Sequence, residues 1–338
     1  MLEKPDLKEE EIVACLLEKY NLLAGQVTFL PLGADQNSAV YRIVAGDETL
    51  YFLKLRRGDF DEISVALPKF LDDQGIKQVI APQATTTGRL WTTLGLFRVI
   101  LYPFVAGHNG YEAKMPDRHW REFGAALRRT HATDLRPALL AGIRRESFTP
   151  RWHEAVKTHL ALARGDTFAD AIAERLAAYL LQKRAEISYL LERGEQLART
   201  FQARSPEYVL CHADVHAGNI LIGDDGDFFI IDWDESILAP KERDLMSVGG
   251  ALMGDWRSAQ EEEALFYPAY GPATVDPVGI AYYRYERIIA DIAVISEQIF
   301  SAAGSVEDRE LFFGYLTSNF QPNDTIEMAY RADTGRRE

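Results

Sequence analysis

Apolar and polar positions alternate with a period of two in VTFLPL (Val27 to Leu32), AVYRIV (Ala39 to Val44) and LYFLKL (Leu50 to Leu55). That is the pattern of strands turning one face to a core. Turn-forming residues separate the runs: Gly33 to Ser38 joins the first pair, and Ala45-Gly46-Asp47-Glu48 joins the second with hairpin chemistry. A helix is predicted over Leu7 to Tyr20 and another over Asp61 to Asp73, the latter ending at Gly75. A further strand-like run, RVILYPF, spans Arg98 to Phe104.

From Pro116 the pattern lengthens into helical stretches rich in alanine, leucine, arginine and glutamate, notably Trp120 to His131 and Ala171 to Phe201. One β island interrupts them: YVLCH (Tyr208 to His212), NILIG (Asn219 to Gly223) and FFIID (Phe228 to Asp232), with Asp224-Asp225-Gly226-Asp227 as a turn. At 338 residues the chain exceeds the usual span of a single core. The expected architecture is α+β and bilobal: a small β-rich nucleotide-binding lobe over 1–104, and a large helical lobe over 105–338 for catalysis and acceptor binding.

Composition narrows the partners. A formal net charge of −14 argues against nucleic acid, whose binders carry a lysine and arginine surplus on at least one face, and suits a small cationic ligand better. No apolar stretch is long enough to span a bilayer, and the acidic start MLEKPDLKEEE is unlike a secretory signal. Cys15 and Cys211 form no CxxC or metal-ligand spacing, which fits a reducing compartment. The expectation is a cytoplasmic protein, monomeric or weakly dimeric, without a nucleic-acid or membrane partner.

CHADVHAGNILI places His212, Asp214 and Asn219 in the order HxDxxxxN, and Asp232 ends the apolar run FFIID further on. Phosphoryl transfer from a nucleoside triphosphate needs a carboxylate to receive or orient the acceptor hydroxyl, and separate oxygen ligands for Mg2+. Asp214 suits the first task, Asn219 and Asp232 the second. A zinc reading of His212 and His216 fails, because HExxH requires a helix and a glutamate where Ala213 and a glycine-closed turn stand. His212 is assigned to bracing the loop and Cys211 to the core, while Arg243-Asp244 is read as a buried pair or cap supporting the same loop.

On the nucleotide side, Lys54 lies between apolar neighbours on a strand, where a lysine needs a partner, and Glu62 on the next helix is the candidate. The segment LGADQNSA, with Gly33, Asp35, Asn37 and Ser38, is placed to cover phosphates with backbone amides, although it holds neither GxGxxG nor a Walker motif. Backbone groups of Pro103, Phe104 or Val105, between the two regions, are candidates for holding a nucleotide base.

HADVHAGN, IDWD at Ile231 to Asp234, the strand lysine Lys54 and YPFVAG together resemble the aminoglycoside phosphotransferase and choline-kinase-like family, over nearly the whole chain. The resemblance implies a protein-kinase-like fold, ATP or GTP with Mg2+, Asp214 as base, and Asn219 with Asp232 on the metal. Further segments, among them LGADQNSAVY, GIKQVIAP and YYRYERIIADIAV, resemble members whose acceptor is an aminocyclitol antibiotic carrying two amines. A kinase of another hydroxylated metabolite (an amino alcohol, a sugar or homoserine) and a nucleotide-binding pseudokinase module remain as alternatives.

A dicationic acceptor calls for carboxylates and aromatic faces. Asp234, Asp255, Trp256, Tyr283 and Glu286 are the candidates, with Glu235 also near the cassette. On YYRYERIIAD, Tyr283, Arg287 and Asp291 share one face at i, i+4 and i+8, and Tyr282 shares a neighbouring face with Glu286. Glu261, Glu262 and Glu263 are read as a solvated charge run.

Overall fold

The computed structural model describes residues 4–32, 37–165 and 167–335. The chain divides into two compact units, one comprising Met1–Met115, Asp134–Ile143 and Gly218–Ser236, the other Pro116–Thr133, Arg144–Ala217 and Ile237–Glu338. In chain order the elements begin with α1 (Glu9–Tyr20), β1 (Ala24–Leu30), β2 (Ser38–Ala45), β3 (Leu50–Arg57), α2 (Ile63–Asp73), β4 (Thr92–Leu94), β5 (Phe97–Pro103) and β6 (Gly107–Asn109). There follow α3 (Asp117–His131), α4 (Pro137–Gly142), β7 (Arg144–Arg145), α5 (His153–Leu162), α6 (Ala171–Gln182), α7 (Arg184–Ala203), β8 (Val209–Cys211), β9 (Ile220–Gly223) and β10 (Phe228–Ile230). The last are β11 (Ile237–Ala239), α8 (Glu242–Leu245), α9 (Ala259–Tyr270), α10 (Pro277–Phe300), α11 (Val306–Ser318) and α12 (Thr325–Thr334).

In the first unit an antiparallel sheet has the order β1-β2-β3-β5-β4. Its alternation sends Tyr41, Ile43, Leu53, Leu55, Val99 and Leu101 into one core with Ile12 and Leu16 of α1. Each such burial is worth roughly 1.5–3 kcal/mol. Because side chains alternate faces along a strand, Lys54, between Leu53 and Leu55, is turned to the opposite face. A second sheet, β10-β9-β6, holds the hairpin of the catalytic cassette. The hairpin is tied into this unit by Ile230 N–H donating to the Gln78 carbonyl at 2.7 Å and by β6 on its other edge. Gly107 allows that edge to pair: a Cβ there would stand 2.1 Å from the Ile222 carbonyl oxygen.

The second unit is built round α10, which packs on α5, α7 and α12 and is buried on nearly all sides. A small sheet, β7-β11-β8, carries the strand that leads into the catalytic loop. The strand β11 was not apparent in the sequence, being too short to show a period. The stretch Ala171 to Phe201 is two helices, broken at Lys183, where φ is −89° and ψ 4°. A composition uniformly rich in helix formers carries no signal for such a break. Glu262 is buried at 3% exposure, unlike the solvated residue expected, and accepts the Gly249 N–H at 2.7 Å. Glu261 closes a capping box with Ser258.

Candidate active site

The loop after β8 contains Ala213 at φ 71°, a left-handed conformation that costs a non-glycine residue energy. Asp244, fully buried, compensates by accepting the N–H groups of His212 (Oδ2, 2.9 Å) and Ala213 (Oδ1, 2.7 Å). Its Oδ2 also lies 3.0 Å from His131 Nε2, which therefore donates, leaving His131 Nδ1 to accept the Tyr270 hydroxyl at 2.7 Å. Burial alone would raise the Asp244 pKa, but the hydrogen bond from His131, with that from the Ala213 N–H, reverses this and holds it below its ordinary value. His212 Nδ1 accepts the Asp214 N–H at 3.3 Å, and Ala217 N–H donates to the Leu252 carbonyl. Cys211, just before the loop, is buried against the Ala239 and Pro240 carbonyls, and burial pushes its thiol pKa up. His131, Cys211 and Asp244 cluster closely enough for a metal ion, yet the aspartate and both histidine nitrogens are taken by hydrogen bonds of the brace.

Asp214 is thus presented from a fixed loop. Its Oδ1 accepts a hydrogen bond from Arg287 Nη1 at 2.5 Å, and its Oδ2 lies 3.6 Å from His216 Nε2. Burial pushes the carboxyl up, but His216 and Arg287 outweigh it and hold Asp214 well below the usual carboxylate range. Arg287 Nε lies 3.1 Å from Asp291 Oδ1, the next acid on the same face of α10, whose own pKa burial raises despite that cation. Arg287 escaped assignment in the sequence; its spacing from Tyr283 and Asp291 was the only signal.

In the first unit, Lys54 Nζ donates to Asp234 Oδ2 at 3.0 Å and lies 3.9 Å from Asp232 Oδ1. Arg56 Nη1 donates to the same Asp234 oxygen at 2.8 Å. Glu62 is exposed at the N-cap of α2, and the carboxylate partner of Lys54 is Asp234 instead. Sequence proximity favoured the helix that follows the strand, whereas the β9–β10 hairpin delivers IDWD to Lys54. Ile231 N–H donates to the Asn219 carbonyl at 2.9 Å, so Asn219 and Asp232 stand at the same end of this hairpin. Asp232 has φ 62°, a strained value for a non-glycine residue, and its side chain is half exposed. An amide and a carboxylate flanking the open end of one hairpin are oxygen donors of the kind suited to Mg2+, which keeps water and phosphate as its other ligands.

Gly33 and Asp35 lie outside the described residues. Asn37 occupies a turn, its carbonyl accepting the Arg57 N–H at 2.8 Å, and Ser38 opens β2. Pro103 ends β5, and the Phe104 N–H donates to the Leu50 carbonyl at 3.2 Å. Of the acceptor candidates, Asp255 and Trp256 are exposed, while Asp234 is engaged by Lys54 and Arg56. Tyr283 is 1% exposed, packed on Phe201 and Tyr282 with the Arg243 guanidinium over its ring, and is a core residue. Glu286 is also buried and accepts from His153 Nε2 at 3.0 Å. Helical spacing could not distinguish them because α10 is buried round most of its circumference.

A β-sheet amino-terminal region and a helical carboxy-terminal region are the architecture of kinase-like small-molecule phosphotransferases. Residues 28–278 match the model of the APH phosphotransferase enzyme family, and the chain belongs to that family. A crystal structure of spectinomycin phosphotransferase with ADP and spectinomycin is similar over 97% of this chain and 99% of that one, at 33% identity and a TM-score of 0.90. The AMP-bound complex of that enzyme matches at 32% identity and a TM-score of 0.86, covering 96% of this chain and 98% of that one. An amicoumacin kinase with AMP-PNP and Ca2+ shares the fold at 15% identity and a TM-score of 0.61, over 96% and 97% of the two chains. No curated protein sequence matches the chain.

Proposed function

We propose that this chain transfers the γ-phosphoryl group of ATP or GTP to a hydroxyl of spectinomycin, a small dicationic aminocyclitol, and so confers resistance to it in the cytoplasm. The observation that carries the acceptor is the likeness, over 97% of the chain, to an enzyme solved with spectinomycin bound. The reaction class is supported by the residues themselves. Lys54 binds the α- and β-phosphates in place of its carboxylate partners, and the Val105 amide faces the base. Asn219 and Asp232 would hold Mg2+, which supplies charge neutralisation on the phosphates.

Asp214 orients the acceptor hydroxyl. The hydroxyl oxygen of the acceptor forms a bond to the γ-phosphorus while the bond from that phosphorus to the β,γ-bridging oxygen breaks; the nucleoside diphosphate leaves with the electron pair. The hydroxyl proton passes to Asp214. With a depressed pKa, Asp214 is a weak base, so the proton moves late, in keeping with a loose transition state in which positioning matters more than early deprotonation.

The test is ADP release with Mg·ATP over an acceptor panel of spectinomycin, other aminocyclitols, amino alcohols, homoserine and neutral sugars. Turnover is expected with spectinomycin above every other acceptor. Preference for a neutral sugar refutes the acceptor, and nucleotide-induced thermal stabilisation without transfer to anything supports a pseudokinase instead.

A further inference from the structure

The side chains round Asp214 form an ordered row, His216, Asp214, Arg287 and Asp291, in which every neighbour is within 3.6 Å. A carboxylate on a loop can rotate about its own axis, and only one orientation presents an oxygen to a bound hydroxyl. Arg287 stops that rotation. Its guanidinium is planar and directional and takes Oδ1, while Oδ2 lies 3.6 Å from His216 Nε2, so the carboxylate is held from both sides.

The support behind Arg287 is rigid. It projects from α10, the longest helix, which is buried on nearly every face, and Asp291 one turn on holds its Nε side. The preceding residue, Glu286, is pinned by buried His153, so the backbone at this turn of α10 is fixed from the other side. With loop and helix both braced, the geometry of the pair is set before any substrate arrives, which is how positioned groups lower a barrier.

We propose that Arg287 is a positioning residue for phosphoryl transfer, locking the Asp214 carboxylate through Oδ1 in the orientation that receives the acceptor hydroxyl. This rests on the reading of Asp214 as the hydroxyl-orienting group. It differs from a structural ion pair in its consequence: removing the guanidinium should slow the chemical step while leaving nucleotide affinity and folding largely as they were.

The experiment compares wild type, Arg287→Ala and Arg287→Lys in steady-state turnover of spectinomycin with Mg·ATP. Arg287→Ala should lose about a hundredfold in kcat with the KM for Mg·ATP within about threefold of wild type. Arg287→Lys should recover about tenfold of that loss, and millimolar guanidinium should partly restore Arg287→Ala but not Asp214→Asn. A kcat for Arg287→Ala within about threefold of wild type overturns the proposal, as does a loss that neither lysine nor guanidinium recovers. A second arm needs no acceptor: carboxyl 13C NMR of the Asp214 side chain, identified by its absence in Asp214→Asn. The charged groups facing it are His216 on its own loop and Arg287 with Asp291 on α10, so Asp214 should titrate at higher pH in Arg287→Ala. Identical titration in both proteins overturns the inference. A wild type inactive on spectinomycin that still shows the NMR shift refutes the acceptor alone.

Discussion

Lys54 and Asp234 are joined at 3.0 Å across the β3 strand and the IDWD turn, and Arg56 reaches the same carboxylate oxygen. One acidic side chain therefore stores two cations on the face of the sheet opposite the hydrophobic core. Triphosphate, with more charge and more acceptors than a single carboxylate, competes for Lys54 when it binds. Lys54→Met should raise the KM for Mg·ATP by about tenfold or more, with the acceptor KM moving less than about threefold. Steady-state kinetics with each substrate varied in turn measures both, and an unchanged nucleotide KM removes Lys54 from the phosphate site.

Asp214→Asn keeps the size and the backbone hydrogen bond of the loop but loses the charge that meets Arg287. Turnover should fall by about a thousandfold. Thermal stabilisation by Mg·ATP should persist, because the groups read as holding nucleotide belong to the other compact unit. Wild-type turnover in this variant takes Asp214 out of the mechanism.

The order of these groups was legible in sequence because each is tied to a short, strongly patterned segment. HADVHAGN sits on a loop between strands, and LYFLKL shows its lysine by interrupting an apolar alternation. Four strands of the five-stranded sheet followed from apolar alternation and flanking turn residues, and α1 from its helical pattern; β4, three residues long, did not. Legibility ended where a residue's role depends on a partner distant in the chain. Asp234 as the partner of Lys54, Arg287 against Asp214 and Glu262 under Gly249 all arise from tertiary approach. On α10 the failure has a geometric reason: a helix buried on nearly every side has no single polar face for spacing to reveal, so Tyr283 and Glu286 looked no different from Arg287.

Glu262 gives a stability prediction. Burial pushes its carboxyl up to about 8, against an ordinary value of 4.5. A carboxyl raised by folding favours the unfolded chain wherever that chain is ionised, so its cost is absent below 4.5, grows as pH rises and levels off above about 8. Glu262→Gln keeps an oxygen for the Gly249 N–H and carries no charge. Its melting temperature relative to wild type should climb between about pH 5 and about pH 8, read by scanning fluorimetry. A difference that stays flat or falls over that range contradicts the buried-acid account.

His153 titrates with the opposite sense. It is 1% exposed, with Nε2 3.0 Å from Glu286 and Nδ1 3.4 Å from Glu195. Burial disfavours the charged ring, but the hydrogen bonds and charges of Glu286 and then Glu195 outweigh it, so the folded-state pKa is raised above 6.5. A histidine raised by folding contributes stability that is fully present below the unfolded value of 6.5 and is lost as pH climbs through the folded one. Wild type should therefore lose stability relative to His153→Gln as pH rises above 6.5, in urea titrations at fixed ionic strength. Parallel pH dependence in the two proteins means that His153 is neutral throughout and that hydrogen bonding alone fixes this turn of the helix.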